Sequence, residues 1–180
     1  MQTLKEIWKQ HAGVTSDKDT SHSYIDVYEK LFAPYRNGPT RLLEIGVGWG
    51  DCLVGWKHYF PNGEIVGLDH DPHHAVSRIG TGFRVVKGDS RCVDVQKLFP
   101  NEMFDIIIDD GDHSIDAQVK TFGVFRELVK PGGIYIVEDI ERIENAPRLG
   151  FADLGFEILD LRDQRDGRVD NIMAIWRPTN

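Results

Sequence analysis

Residues 104–113, FDIIIDDGDH, constrain this chain more than any other stretch. Three consecutive isoleucines between Phe104 and a carboxylate pair describe a strand covered on both faces, the interior pattern of a parallel sheet. Asp109, Asp110, Asp112 and His113 arrive together where that strand must stop. Open α/β sheets place ligands outside the carboxyl ends of such strands. One short run therefore predicts a fold class and the edge on which chemistry would sit.

The flanking sequence keeps the same rhythm. RLLEI at 41–45 is followed by the glycine-rich GVGWG, then by a helix that turns Cys52, Leu53, Trp56 and Phe60 inward. EIVGLD (64–69) is a second strand, and Asp71-Pro72 reads as an N-cap and first helical residue. FRVVKGD (83–89) is a third, followed by a helix carrying Val93, Leu98 and Phe99. After the central run, Ile115, Val119, Phe122, Phe125 and Leu128 mark the inner stripe of a longer helix. Pro131-Gly132-Gly133 then turns the chain into IYIVED (134–139). Repeated βαβ units of this length imply right-handed crossovers and a parallel sheet.

The tail reads differently. GFEILDL and NIMAIW are strand-like runs joined by a polar segment containing Asp166-Gly167, a hairpin signal. The expected fold is α/β, a doubly wound, Rossmann-like, seven-stranded sheet of five parallel strands plus a C-terminal antiparallel hairpin. Residues 141–154 leave room for only a short helix. Upstream, Leu4, Ile7, Trp8 and His11 have helical spacing, as do Tyr24, Val27, Tyr28, Leu31 and Phe32. Ser21 or Ser23 is placed to cap the second helix, and Pro34 to end it. The reading is a single domain over 1–180, with 1–37 a helical segment covering the cofactor site and 38–180 the Rossmann-like core.

Composition narrows the partners. Net charge is −8 and Lys and Arg do not cluster, which opposes nucleic acid and anionic membrane surfaces. Cys52 and Cys92 lack metal-type spacing and are expected as reduced thiols. Neither an apolar run near 18 residues nor a signal-peptide pattern at Met1 is present, so a cytoplasmic location is expected.

Each parallel strand ends in acid: Glu44, Asp69, Asp89, Asp109-Asp110 and Glu138-Asp139. Like charges crowded along a partly desolvated edge repel or force protonation, so something cationic belongs there. Gly46, Gly48 and Gly50 permit close approach of a ligand, yet a pyrophosphate at this turn would be opposed by Glu44, and the third glycine of GxGxxG is missing. A dinucleotide dehydrogenase is thereby disfavoured. S-adenosylmethionine brings a sulfonium and an ammonium, and its ribose hydroxyls suit Asp69. Because strand side chains alternate, Asp110 is expected to face away from Asp109.

LLEIGVGWG, GLD, KGD, FDIIIDD and LVKPGGIYIVED resemble the successive motifs of class I S-adenosylmethionine-dependent methyltransferases. More narrowly, SDKDTSHSY, IIDDGDH and IYIVEDI are similar to the macrocin and mycinamicin sugar O-methyltransferase group, with its cephalosporin-hydroxylase-like relatives. The resemblance implies that Glu44, Gly46 and Gly48 line the methionine and ribose portion, with Asp69 on the ribose hydroxyls. It puts Asp89 and Ser90 at the adenine, and Asp109 facing the methionine ammonium. Asp110, Glu138 and Asp139 resemble the group's divalent-metal ligands, an all-carboxylate set suited to Mg²⁺. His113 resembles its general base, required because an aliphatic hydroxyl is a poor nucleophile until deprotonated. Lys18 and Tyr24 become candidate cofactor contacts, Lys18 at the methionine carboxylate.

The implied activity is metal-assisted O-methylation of a sugar hydroxyl on a small glycoside. Two alternatives stand beside it: a catechol- or phenol-type O-methyltransferase, and an S-adenosylmethionine-binding partner subunit without turnover. Aromatic residues near the amino terminus are compatible with a homo-oligomer. His70, Asp71, His73 and His74 are read as a helix start rather than a metal site.

Overall fold

The structure is a computed structural model that describes residues 1–180 apart from 14, 81, 146–149, 151–153, 166 and 180. Seven strands form one sheet: β1 (Arg41–Ile45), β2 (Glu64–Asp69), β3 (Arg84–Lys87), β4 (Phe104–Asp109), β5 (Val129–Val137), β6 (Glu157–Asp160) and β7 (Ile172–Trp176). Their order is β3-β2-β1-β4-β5-β7-β6. The first five are parallel, while β7 runs antiparallel to both β5 and β6. This is the architecture the alternating pattern requires, hairpin included. Asp166 of the turn signal lies outside the described residues, as do half of the positions expected to form a short helix within 141–154. A single 3₁₀ turn, Ile143–Asn145, is described there.

Alternation along the strands builds two cores. Leu42, Ile106, Ile108, Ile134 and Ile136 face helices α1 (Leu4–His11), α2 (Tyr24–Phe32) and α3 (Asp51–Tyr59). Leu43, Ile45, Ile107, Tyr135 and Val137 face α5 (Ile115–Phe125). Both sides of β4 are covered, which is why its isoleucines need no polar partner on either face. On the first face, Trp8 and Trp56 pack with ring centroids 4.6 Å apart. Gly55 makes this contact feasible, since a Cβ there would lie 2.7 Å from the Trp8 ring. The amino-terminal helices are thus seated on the core and not beside it.

Several local expectations shift. α2 ends at Phe32 and a 3₁₀ turn holds Pro34, as a proline break dictates. Ser23 occupies its N-cap position but makes no side-chain cap; its backbone N–H bonds Asn171 instead, at 3.1 Å. Helix α4 (His73–Ile79) starts one residue later than the Asp71-Pro72 signal, with Pro72 as N-cap. After β3 the chain forms a 3₁₀ helix, Val93–Leu98, which turns in Val95 and Phe99 and leaves Val93 and Leu98 exposed. The tighter three-residue turn rotates the inner face away from the α-helical prediction. In α5, Val119 is exposed while polar Gln118 and Thr121 are buried. Gln118 is drawn inward by the strand edge: its amide donates to the Glu138 carbonyl at 3.0 Å. Finally, β5 begins at Val129, and the Pro131-Gly132-Gly133 run sits in a register break between Val129 and Ile134.

Candidate active site

Strand order reverses between β1 and β4, and there the chain ends of both strands open onto a cleft of about 620 Å³. Its floor is the turn after β1. Gly46 has φ +83° and packs so tightly against β4 that a Cβ would lie 2.1 Å from the Asp110 carbonyl oxygen. Gly48, at φ +49°, has nothing within 4 Å of where its Cβ would be. The first glycine joins two strands; the second leaves an opening on the cleft side. Asp69 organises this half, accepting from the Val47 N–H at 2.9 Å and, through its other oxygen, from the Asp71 N–H at 2.8 Å.

Asp89 lines the same half, but its carboxylate is gripped by the Arg91 guanidinium at 2.9 Å, which holds it down at about 2. Ser90 shares a hydrogen bond with Thr121 at 3.0 Å. Asp109 turns toward α5 and accepts from the Tyr135 hydroxyl at 3.1 Å; burial pushes it up to about 7. Asp110 points the opposite way, as strand alternation demands.

The other half of the cleft is a cluster of buried acids around one ammonium. The loop after α1 wraps on itself, with the Asp17 carbonyl collecting the N–H groups of Thr20, Ser21 and His22 at 3.0 Å each. This tight loop carries Lys18 inward until it is 2% exposed. Its Nζ ion-pairs with Asp110 Oδ2 and Glu138 Oε2, and lies 3.8 Å from Glu44 Oε1. Burial opposes the ammonium, but the surrounding acids outweigh it and hold Lys18 protonated. The sequence placed Lys18 at a methionine carboxylate; in the fold its ammonium is spent on Asp110 and Glu138.

Glu138 is saturated: the Tyr28 hydroxyl donates to its Oε1 while Lys18 takes Oε2. Burial, with Asp110 and Asp139 nearby, pushes this carboxyl up. Glu44 is fully buried, neither of its oxygens has a hydrogen-bond partner among the described residues, and burial raises it to about 7.

Asp139 is set apart from Glu138 by its backbone. It adopts φ +52°, a left-handed conformation that few residues other than Gly, Asn and Asp tolerate and that clusters at functional sites. The Tyr24 hydroxyl locks it by donating to Oδ1 at 2.7 Å and accepting from its N–H at 3.2 Å. The buried His22 ring lies between Asp139 Oδ1, at 3.3 Å, and Asp17 Oδ2, at 3.4 Å. Burial raises Asp139.

His113 closes the group. Its Nε2 is 3.4 Å from Asp110 Oδ1 and its Nδ1 3.6 Å from Asp139 Oδ2. The hydrogen bond to Asp110 and the flanking acids lift it to about 9. Burial pushes Asp110 up, but Lys18 and His113 together bring it below its ordinary value. Donor atoms of Asp110, His113 and Asp139 all lie within 4.8 Å of one another. Glu138 is not among them. His22, Tyr28 and Tyr135 escaped the sequence reading because a buried histidine and two tyrosines at helical or strand spacing are ordinarily core; only their register against the acids singles them out.

The residues present fit both expected guests. An open Gly48 beside an anchored Asp69 on the cleft wall suits a ligand with hydroxyls, and the buried Glu44 adds negative charge behind that wall. Two cleft-facing carboxylates form a hard-oxygen pair of the kind that binds Mg²⁺ with waters or substrate oxygens completing the shell.

Comparison with known proteins agrees with this geometry. A family of methyltransferase domains matches residues 43–140. Mycinamicin VI 2''-O-methyltransferase from Micromonospora griseorubida is 38% identical over 129 residues, covering 66% of this chain and 32% of that protein. Demethylmacrocin O-methyltransferase from Streptomyces fradiae is 38% identical over 128 residues, with the same coverage, 66% and 32%. The chain spans about a third of the length of these curated relatives. Among solved structures, the MycE methyltransferase of the mycinamycin pathway, in complex with Mg, SAH and mycinamycin VI, superposes with a TM-score of 0.67 at 32% identity, over 83% of this chain and 40% of that one. Among the described residues, no helix is long and apolar enough to cross a membrane.

Proposed function

The chain belongs to the methyltransferase-domain family, and from that premise we propose that it is an S-adenosylmethionine-dependent, divalent-metal-assisted O-methyltransferase acting on a hydroxyl of a sugar or small glycoside. The observation that carries this reading is the convergence of Asp110, His113 and Asp139 within 4.8 Å at the end of the cleft that runs over Gly46 and Gly48. When bound, S-adenosylmethionine supplies a sulfonium-activated methyl group, and a hard divalent ion supplies a Lewis acid that lowers the pKa of a chelated hydroxyl.

The chain's own residues do the rest. Asp69, already fixed by the Val47 N–H, presents its remaining lone pairs to ribose hydroxyls. Gly46 and Gly48 line the methionine portion and Asp89 and Ser90 the adenine portion, with the buried carboxyls of Glu44 and Asp109 behind them to favour its ammonium. Asp110, Glu138 and Asp139 are the carboxylates that would hold the ion, Glu138 being bonded here to Lys18 and Tyr28.

His113 receives the acceptor proton. At about 9 it is an imidazolium at neutral pH and cannot act as a base. It becomes one only when positive charge other than its own neutralises Asp110 and Asp139. Residues 1–37 cover the site, since Lys18, His22, Tyr24 and Tyr28 all approach the strand-end acids from this segment. We place the protein in the cytoplasm, where Cys52 and Cys92, unpaired in the fold, stay reduced.

The test is methyl transfer from S-adenosylmethionine to a panel of glycosides and catechols, with Mg²⁺ or EDTA. Product on glycosides, abolished by EDTA and restored by Mg²⁺, is the expected result. Product on catechols alone overturns the acceptor class, and turnover unaffected by EDTA overturns the metal.

A further inference from the structure

One fully buried ring beside the acid cluster has no hydrogen bond of its own. His22 is 0% exposed, and among the described residues neither ring nitrogen finds a partner in hydrogen-bond geometry. A buried polar group in that state calls for a reason. Its placement supplies one. Nδ1 faces Asp139 Oδ1 at 3.3 Å, and Nε2 faces Asp17 Oδ2 at 3.4 Å. The ring packs on Tyr24 with centroids 4.6 Å apart, and the backbone N–H of His22 returns to the Asp17 carbonyl at 3.0 Å. Tyr24 donates to the same Asp139 Oδ1 at 2.7 Å. Two groups from the amino-terminal segment thus meet Oδ1, and Oδ2 is the oxygen left on the His113 side. Asp139 needs such support: it stands beyond the end of β5 on a left-handed backbone, where the strand ladder does not fix its side chain.

Resting on the metal reading above, we propose that His22 is a positioning residue for the divalent ion: through Nδ1 it serves Asp139 Oδ1 and keeps Oδ2 toward the cleft, while Asp17 steers the ring through Nε2. His22 touches neither the ion nor the acceptor and acts only through Asp139. Carboxylates that bind metals are held by outer partners of this kind, whose loss costs ten- to hundredfold in metal affinity. A histidine that merely fills space would influence folding and leave metal affinity alone.

Mn²⁺ titration of the full chain, followed by the paramagnetic resonance of the free ion, reads this directly, with thermal melts in EDTA to confirm folding. The amide nitrogen of Asn falls near the place of a histidine Nδ1 and that of Gln near Nε2, so the two variants keep opposite halves of the contact. His22→Gln is expected to bind Mn²⁺ roughly tenfold more weakly, and His22→Asn to stay within about threefold of the unaltered protein. Packing alone would give the reverse order, since Gln is nearer to His in size. A folded His22→Gln that binds as tightly as the unaltered protein overturns the proposal, and so does a His22→Asn no tighter than His22→Gln. If neither folds, Asp17→Asn decides, because the Asp17 side chain is half-exposed and the loop is held by its backbone carbonyl. Asp112→Asn controls for lost charge: it removes a similarly exposed cleft carboxylate whose partners are Arg91 and Ser114. Asp17→Asn is expected to weaken Mn²⁺ at least about threefold more than Asp112→Asn, and equal effects overturn the proposal. No Mn²⁺ bound by the unaltered protein overturns the metal reading itself, and this proposal with it.

Discussion

The two halves of the cleft handle the same residue type in opposite ways. Beside β2 and β3, each acid is paired locally: Asp69 has backbone N–H groups and Asp89 has Arg91, and the latter stays ionised at about 2. At the ends of β4 and β5, Asp110, Glu138 and Asp139 share one ammonium and the imidazoles of His22 and His113, with Glu44 of β1 3.8 Å from the same ammonium. The first half is finished and rigid, suited to binding a ligand of fixed shape. The second half carries unbalanced charge, raising Glu44 and His113 to about 7 and about 9. Charge left unbalanced in a buried site is stable only if a guest or protons correct it. Recognition and chemistry are therefore separated along the sheet edge.

The sharpest way to break that separation is on the charged side. Asp139→Asn should lower methyl transfer roughly a hundredfold or more, since it removes a carboxylate on which both the ion and His113 depend. Steady-state rates on a glycoside acceptor measure it. A loss below tenfold would mean that Asp139 is scenery.

Next is the seam between the halves. Gly46→Ala must move the Asp110 backbone, 2.1 Å from the new Cβ, and adopt φ +83°. It should cost about 2–5 kcal/mol in chemical denaturation. Gly48→Ala, at φ +49° facing open space, should cost only about 1–2 kcal/mol, its main effect being on cofactor affinity.

A smaller effect appears in pH dependence without metal. His113 is raised from 6.5 to about 9, so its contribution to stability is complete below pH 6.5 and is lost as pH rises through about 9. Glu44 and Asp109, both raised to about 7, act in the same direction at lower pH, weakening the fold as pH climbs from the ordinary carboxylate range to about 7. Melts in EDTA should therefore decline from mildly acidic pH to 9. His113→Gln should flatten the portion between 6.5 and 9 and leave the lower portion unchanged.

The sheet was legible because periodicity is local: three isoleucines in β4 announce burial on both faces without knowledge of their neighbours. The row of strand-end acids was legible for the same reason. What those acids touch was not. Nothing in the spacing of SDKDTSHSY says that Lys18 crosses to Asp110 and Glu138, or that Tyr24 pins Asp139 into a left-handed turn. Glu138 and Asp139 are adjacent, and only a single backbone angle sends one to an ammonium and the other to a histidine. Val119 and Gln118 exchange roles in α5 because a carbonyl at the end of β5 recruits the amide. Such assignments depend on tertiary register, which a pattern of residue types does not carry.

Calorimetric titration of S-adenosylhomocysteine into Asp69→Asn and Asp139→Asn tests the division most directly. The account predicts that Asp69→Asn weakens binding about tenfold or more, from the lost charge-assisted hydrogen bonds, while Asp139→Asn stays within about threefold of the unaltered protein. Equal losses in the two variants would contradict it, because the cleft would then be one site and not two.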